Sequence, residues 1–171
     1  AVGAIDKRHY TEQGRQVGSA LHKGIELINN GVELDPASID QLVAPHIASY
    51  RKWREATGFV PVWSEREFKS ERLGLIGHPD CLGTLRGRRV IIDLKKYAPE
   101  PWHRLQLEYY RMLVKEREKV DGIAIIETKA TGAMAVEHDA HDATGSDDAI
   151  AALRWYRWLE RAGKLKGKDT A

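Results

Sequence analysis

The sequence predicts a mixed α/β chain, with helices flanking a central mixed β-sheet in the order α-α-β-β-β-α-β-β-α. Three observations carry that prediction. Apolar residues recur at three- and four-residue spacing near both ends of the chain. Between them, residues 59–95 are rich in β-branched and aromatic residues punctuated by glycine. A further helical stretch then separates this region from one more strand pair.

Residues 11–29 read as the first helix, through Val17, Ala20, Leu21, Ile25 and Ile28, and Asn29-Asn30-Gly31 closes it. Asp35-Pro36 has the form of an N-cap followed by proline at the first helical position. The helix it starts is expected to run toward Gly58 through Ile39, Leu42, Val43, Ile47, Tyr50 and Trp53, with a kink or break at Pro45. Residues 59–69, 73–85 and 88–95 read as strands, the last two joined by an Arg86-Gly87 hairpin turn. Residues 101–118 return to helical spacing through Leu105, Tyr109, Met112 and Leu113. Val120 to Lys129 is then a buried strand, which Ala130-Thr131-Gly132 turns into a partner over 133–139. Asp147 or Asp148 caps a last helix carrying Ile150, Leu153, Tyr156 and Leu159 and ending at Gly163.

Length and composition narrow the function. The 171 residues suit one domain: N-terminal helices over 1–58, a sheet region over 59–138 and a C-terminal helix with a basic tail over 147–163 and beyond. Lys plus Arg is 27 against 25 Asp plus Glu, a net charge of +2, which excludes a histone-like basic arm and an acidic solvating tail. Nucleic-acid binding must therefore come from local clusters of charge. The single cysteine, Cys81, excludes an intramolecular disulfide and a cysteine-based metal site. No apolar run approaches the ~20 residues of a membrane helix, and residues 1–14 lack the apolar core of a signal peptide. These features predict a soluble intracellular domain. The chain begins with alanine, as expected of a trimmed chain or a piece of a longer one.

One constellation carries chemistry. Asp80 is placed on the strand before the hairpin, Asp93 thirteen residues later on its partner, and Lys95 on the same face as Asp93. Adjacent strands lie about 4.8 Å apart, so a suitable register brings the two carboxylates together. Two such carboxylates are tolerated when a divalent cation neutralises them, and hard oxygen ligands favour Mg²⁺ or Mn²⁺. An ammonium beside them suits attack of water on a phosphodiester. Acid-x-Lys alone is weak, since Glu67-Phe68-Lys69 and Glu127-Thr128-Lys129 share it. Only Asp93-Leu94-Lys95 has a Pro79-Asp80 on the strand before it, across a tight turn. Read as spacing alone, the pattern fits either a metal nuclease or a surface ion pair on a hairpin.

Gly77-His78-Pro79-Asp80, then Asp93-Leu94-Lys95, then Gln106 to Tyr110 resembles the PD-(D/E)XK nuclease superfamily. More narrowly, the set is similar to the RecB-like exonuclease branch, including phage exonucleases and Cas4-type enzymes. That branch carries an upstream Gly and His on a helix, which Gly18 and His22 match, and a Glu ahead of the Asp-bearing strand, which Glu65 matches. The resemblance implies a restriction-endonuclease-like core with Mg²⁺ or Mn²⁺ as cofactor and DNA as substrate. It implies His22, Asp80, Asp93 and the backbone carbonyl of Leu94 as metal ligands, and Lys95 as the catalytic lysine. Gln106 and Tyr110 would orient that lysine or contact DNA. Glu65 competes with Glu67 and Glu71 for the remaining acidic position, and His78 is not expected to be a ligand. Lys96 stands where the family commonly has a small hydroxyl residue. A lone cysteine leaves no iron–sulfur cluster, unlike the cluster-bearing relatives.

Basic residues offer DNA contacts at Arg86, Arg88 and Arg89, at Lys95 and Lys96, and along the last helix at Arg154, Arg157 and Arg161 near Trp155 and Trp158. Lys164, Lys166 and Lys168 follow, in a tail better read as a solvated end. Charge of this kind binds with little sequence preference, which fits an exonuclease acting on DNA ends in recombination, repair or phage DNA processing. An endonuclease of the same fold (a junction resolvase or a restriction-type enzyme) and a non-catalytic DNA-binding module are the alternatives. The expected setting is the cytoplasm of a bacterium or a phage-infected cell, with no membrane association and an oligomer neither required nor excluded.

Overall fold

The computed structural model describes residues 12–140 and 144–164. Residues 1–11, most of the stretch read from sequence as lacking a signal-peptide core, and the tail lysines Lys166 and Lys168 lie outside them. Helix α1 spans Glu12–Asn29, with Leu21 and Ile25 fully buried and Val17 and Ile28 packed at the edge of the core, while Ala20 is exposed. Gly31, at φ 80°, ends it as expected.

The second helix is shorter than its sequence pattern. Asp35 does cap a turn, accepting the Ala37 N–H at 2.9 Å, but that turn is only a 3₁₀ segment over Pro36–Ser38. Helix α2 runs Ala44–Thr57. A proline inside a helix loses a hydrogen bond and clashes with the preceding turn, whereas in the first turn it costs nothing. The break expected at Pro45 is therefore where α2 begins. Val43, Ile47, Tyr50 and Trp53 are buried, while Leu42 is exposed in the connection.

The three strands expected over 59–95 are five: β1 Val60–Ser64, β2 Phe68–Ser70, β3 Leu75–Gly77, β4 Cys81–Leu85 and β5 Arg88–Lys95. Glu65, a non-glycine residue at φ 50°, divides the first run, and His78-Pro79 divides the second. Strands β2 and β3 pair only with each other. Asp80 consequently sits just ahead of β4 rather than on a strand. Leu85 faces Arg88 across the two-residue Arg86-Gly87 turn, with φ of 49° and 76°, so the hairpin has the expected turn.

Helix α3 (Pro101–Lys115), strands β6 (Gly122–Glu127) and β7 (Val136–Asp139), and helix α4 (Gly145–Arg161) complete the order. The main sheet runs β1-β4-β5-β6-β7, with β5 and β6 parallel and the other neighbours antiparallel. This is an α/β fold with a five-stranded mixed central sheet between helical layers. Alternate residues of β5 feed the two cores. Val90, Ile92 and Leu94 join Leu21, Ile25, Tyr50 and Trp53 on the α1–α2 side, while Ile91 joins Leu107, Leu113 and Val114 on the α3 side. Asp93 shares the face of Ile91, beneath α3. Tyr156, expected on the packed face of α4, is exposed.

Candidate active site

Strand β5 sets the geometry. Strand β4 stops pairing at Cys81 opposite Ile92, which leaves the backbone of Leu94 without a strand neighbour on that side. Asp80 fills the gap: its Oδ2 accepts the Leu94 N–H at 2.7 Å. A residue's N–H and C=O leave a strand on the same side, so the Leu94 carbonyl also opens toward Asp80. The Lys95 carbonyl points the other way and accepts the Thr128 N–H at 2.8 Å.

The other oxygen of Asp80, Oδ1, lies 3.4 Å from Nδ1 of His22 on α1, and Glu65 Oε1 lies 3.2 Å from the same nitrogen. His22, Glu65 and Asp80 each offer a donor atom, and these all lie within 4.8 Å of one another. Of the competing acids, Glu67 instead pairs with His78 at 3.0 Å, and Glu71 is outside the cluster. Glu65 is aimed by its backbone. A register shift between Pro61 and Trp63 inserts a bulge into edge strand β1. The left-handed turn at Glu65 then lets its N–H donate to the Asp80 carbonyl at 2.8 Å. Counting along the sequence does not reveal a bulge, which is why three glutamates competed.

Asp93 lies outside that cluster of donor atoms. Its carboxylate is almost completely buried, and its Oδ2 is 2.7 Å from Lys95 Nζ, an ion pair without an aligned hydrogen bond. Lys95 Nζ also donates to Gln106 Oε1 at 3.5 Å, and Gln106 Nε2 donates to the Tyr110 hydroxyl at 2.9 Å. Gln106 and Tyr110, one turn apart on α3, thus form a relay ending on the lysine. Gly77 makes room for it, since a Cβ there would stand 2.8 Å from Leu113 Cδ1 and 3.0 Å from the Tyr110 ring.

The electrostatics mark a site short of positive charge. Burial pushes Asp93 up to about 7, and Asp80 adds to that shift, while Lys95 and His22 oppose it. Burial alone would lower His22, but Asp80 and Glu65 outweigh it and raise the imidazole to about 10. Burial raises Tyr110 to about 12, so it remains a neutral phenol. Carboxylate oxygens, an imidazole nitrogen and a buried carboxylate oxygen lacking an aligned donor fit a divalent cation with oxygen and nitrogen preference.

Two expectations about DNA contacts change. Arg86 forms two bonds to Glu137, Arg88 donates to the Asp121 carbonyl and Arg89 pairs with Glu118. These arginines also sit at the opposite end of β5 from Asp93, about 17 Å away along the strand from Arg88. Lys96 turns from the reacting groups to donate to the Gly14 carbonyl on α1 at 2.6 Å, and burial lowers its pKa. Sequence reading missed the cavity of about 170 Å³ between α1 and the end of β5, lined by Gly14, Gly18, His22, Lys95, Lys96 and His103. It also missed the ion pairs of Glu127 with Lys129 and His138, the first in register with Lys95 on the neighbouring strand. Among the described residues, no helix is long and apolar enough to cross a membrane. A family model described as the PD-(D/E)XK nuclease superfamily matches residues 2–165. No curated protein matches the sequence.

Proposed function

The chain belongs to the PD-(D/E)XK nuclease superfamily, and from that premise we propose that it is a Mg²⁺- or Mn²⁺-dependent exonuclease of the RecB-like branch that hydrolyses DNA from its ends. We read residues 1–171 as one nuclease domain, acting in the cytoplasm of a bacterium or a phage-infected cell. One observation carries the branch: a helix-borne histidine, His22, meets Asp80 and Glu65 at the end of the strand that bears Asp93 and Lys95.

In this reading His22, Asp80, Asp93 and the Leu94 carbonyl hold the cation, with Glu65 beside them. The bound ion would lower the pKa of a water molecule and offset charge on the phosphate. Asp80 keeps the Leu94 backbone aimed at the site through its bond to the N–H. Lys95 presents its ammonium where negative charge develops on the phosphate, and Gln106 restricts where that ammonium points. Tyr110 fixes Gln106 by accepting from its amide. Asp93, almost wholly buried, holds the Lys95 ammonium beside the site through their ion pair.

The test is digestion of end-labelled linear DNA and of closed circular DNA with Mg²⁺ or Mn²⁺. Linear DNA should be degraded and circles spared, EDTA should stop the reaction, and Asp93→Asn or Lys95→Met should lower the rate at least about hundredfold. Cleavage of circles would assign an endonuclease instead. Wild-type rates in either variant would overturn the site.

A further inference from the structure

We infer that the outer face of α4 is a stacking surface for single-stranded nucleic acid, separate from the metal cluster. Trp155 is 60 % exposed and Trp158 49 %, and their rings stack on each other with centroids 4.9 Å apart and planes 18° from parallel. Indoles are seldom left in water in this way, and stacking them together still leaves an outer ring face open. The two follow one another at three-residue spacing, with Arg154 and Arg161 at the ends of the same exposed stripe. Lys164 continues it beyond the helix.

Charge complementarity selects the occupant. From Arg154 to Lys164 the chain has four cationic side chains against the single acid Glu160. One of the four, Arg157, is turned inward onto the Leu73 carbonyl and pins α4 to the β2–β3 turn. Arg66, Arg72, Arg86, Arg89 and Arg111 all end on carboxylates, whereas among the described residues Arg154, Arg161 and Lys164 have no such pairing. Open ring faces between unneutralised cations suit bases stacked on indoles and phosphates held at their flanks. A duplex hides its base faces and cannot use the rings in this way.

The position suits a strand that also reaches the site. Tyr109 of α3 donates to the Ala149 carbonyl of α4 at 2.8 Å, one residue from Tyr110 in the lysine relay. The seven residues from Leu73, which Arg157 holds, to Asp80 can span no more than about 25 Å. The choice of a nucleic acid as occupant rests on the nuclease reading above, while the open aromatic face does not.

The experiment measures fluorescence anisotropy of labelled oligothymidylate of about twenty nucleotides, and of a blunt duplex of equal length, with the whole chain in EDTA. Trp155→Ala/Trp158→Ala should weaken single-strand binding about five- to hundredfold and change duplex binding less than about twofold. Arg154→Ala/Arg161→Ala should flatten the slope of log affinity against log salt by about one. Both variants should keep the wild-type circular dichroism, because the replaced side chains are exposed. Hydrolysis of the p-nitrophenyl ester of thymidine 5′-phosphate with Mn²⁺, a substrate too small to reach α4, should be unchanged in both. Unchanged single-strand affinity, an equal loss on duplex, or no single-strand binding by the unaltered chain would overturn the inference. Loss of a dimer on sedimentation with oligonucleotide affinity intact would assign the face to a second copy of this chain and overturn it too. A chain that binds oligothymidylate through α4 but hydrolyses neither DNA nor the ester would overturn the nuclease reading alone.

Discussion

Asp80 divides its work between two oxygens, one holding the backbone of Leu94 and one facing His22. Asparagine can keep an acceptor for the Leu94 N–H but not the negative charge, and alanine keeps neither. Asp80→Asn should therefore lose Mn²⁺ binding in calorimetry yet unfold within about 1 kcal/mol of wild type, whereas Asp80→Ala should lose a further 1–3 kcal/mol or so in urea. The titrating groups make a second prediction for the metal-free protein. His22 rises from 6.5 to about 10 on folding, so its stabilisation is complete below pH 6.5 and is lost as pH climbs to about 10. Asp93 rises from 3.8 to about 7, so the folded chain keeps a proton that the unfolded chain has released, and stability falls across that interval as well. In EDTA these two groups should make the thermal midpoint decline from pH 4 to pH 10, and saturating Mn²⁺ should reverse the decline above pH 7. At this scale the sequence was informative about residue types and order. Asp93 and Lys95 were legible because they alternate along one strand, whereas Asp80, just ahead of β4, and Gln106 and Tyr110 on α3 were singled out by the family resemblance. Glu65 was ambiguous because a bulge and a left-handed residue determine its aim.

Helix α3 approaches β3 closely because Gly77 has no side chain. Gly77→Ala would place a methyl group against Leu113 and the Tyr110 ring, with an expected loss of about 1–3 kcal/mol in denaturant unfolding. Because Tyr110 steadies Gln106, the same change should lower kcat of DNA cleavage more than it raises KM. The start of α4 depends on α3 in turn. Glu108 is buried against Gly145, pairs with Arg111 and accepts from Ser146 at 3.3 Å. Glu108→Ala should strand Arg111 and cost about 3 kcal/mol, read as a lower urea midpoint. The helices were legible wherever apolar spacing was regular, as in α1 and α3. The 36–43 stretch misled because Asp35-Pro36 is a start signal that a 3₁₀ turn satisfies equally well. The split strands misled for a similar reason, since residue type marks extended chain but not the partner it pairs with.

The whole molecule is a sheet covered on one face by α1 and α2 and on the other by α3, with α4 packed outside α3. His22, Glu65, Asp80, Asp93, Lys95, Gln106 and Tyr110 lie toward one end of β5, and at the other end Arg86 and Arg89 are spent on carboxylates and Arg88 on the Asp121 carbonyl. A net charge of +2 conceals this arrangement, in which Glu65 and Asp80 cluster with His22 while, among the described residues, Arg154, Arg161 and Lys164 lie along and beyond α4 without carboxylate partners. Pairing between distant residues, such as Arg86 with Glu137, cannot be read from one chain's order, so the hairpin looked more available to DNA than it is. The exposed connection between α1 and α2 has a practical consequence. Helix α1 brings His22, yet Leu21 and Ile25 hold it to the sheet by packing, and the covalent link is a surface segment including exposed Glu33. A glutamate-specific protease that nicks at Glu33 should leave two pieces that co-elute on gel filtration and still cleave DNA, until mild urea releases the shorter one. The nuclease could then be switched on by mixing two inactive polypeptides, each carrying part of the metal site.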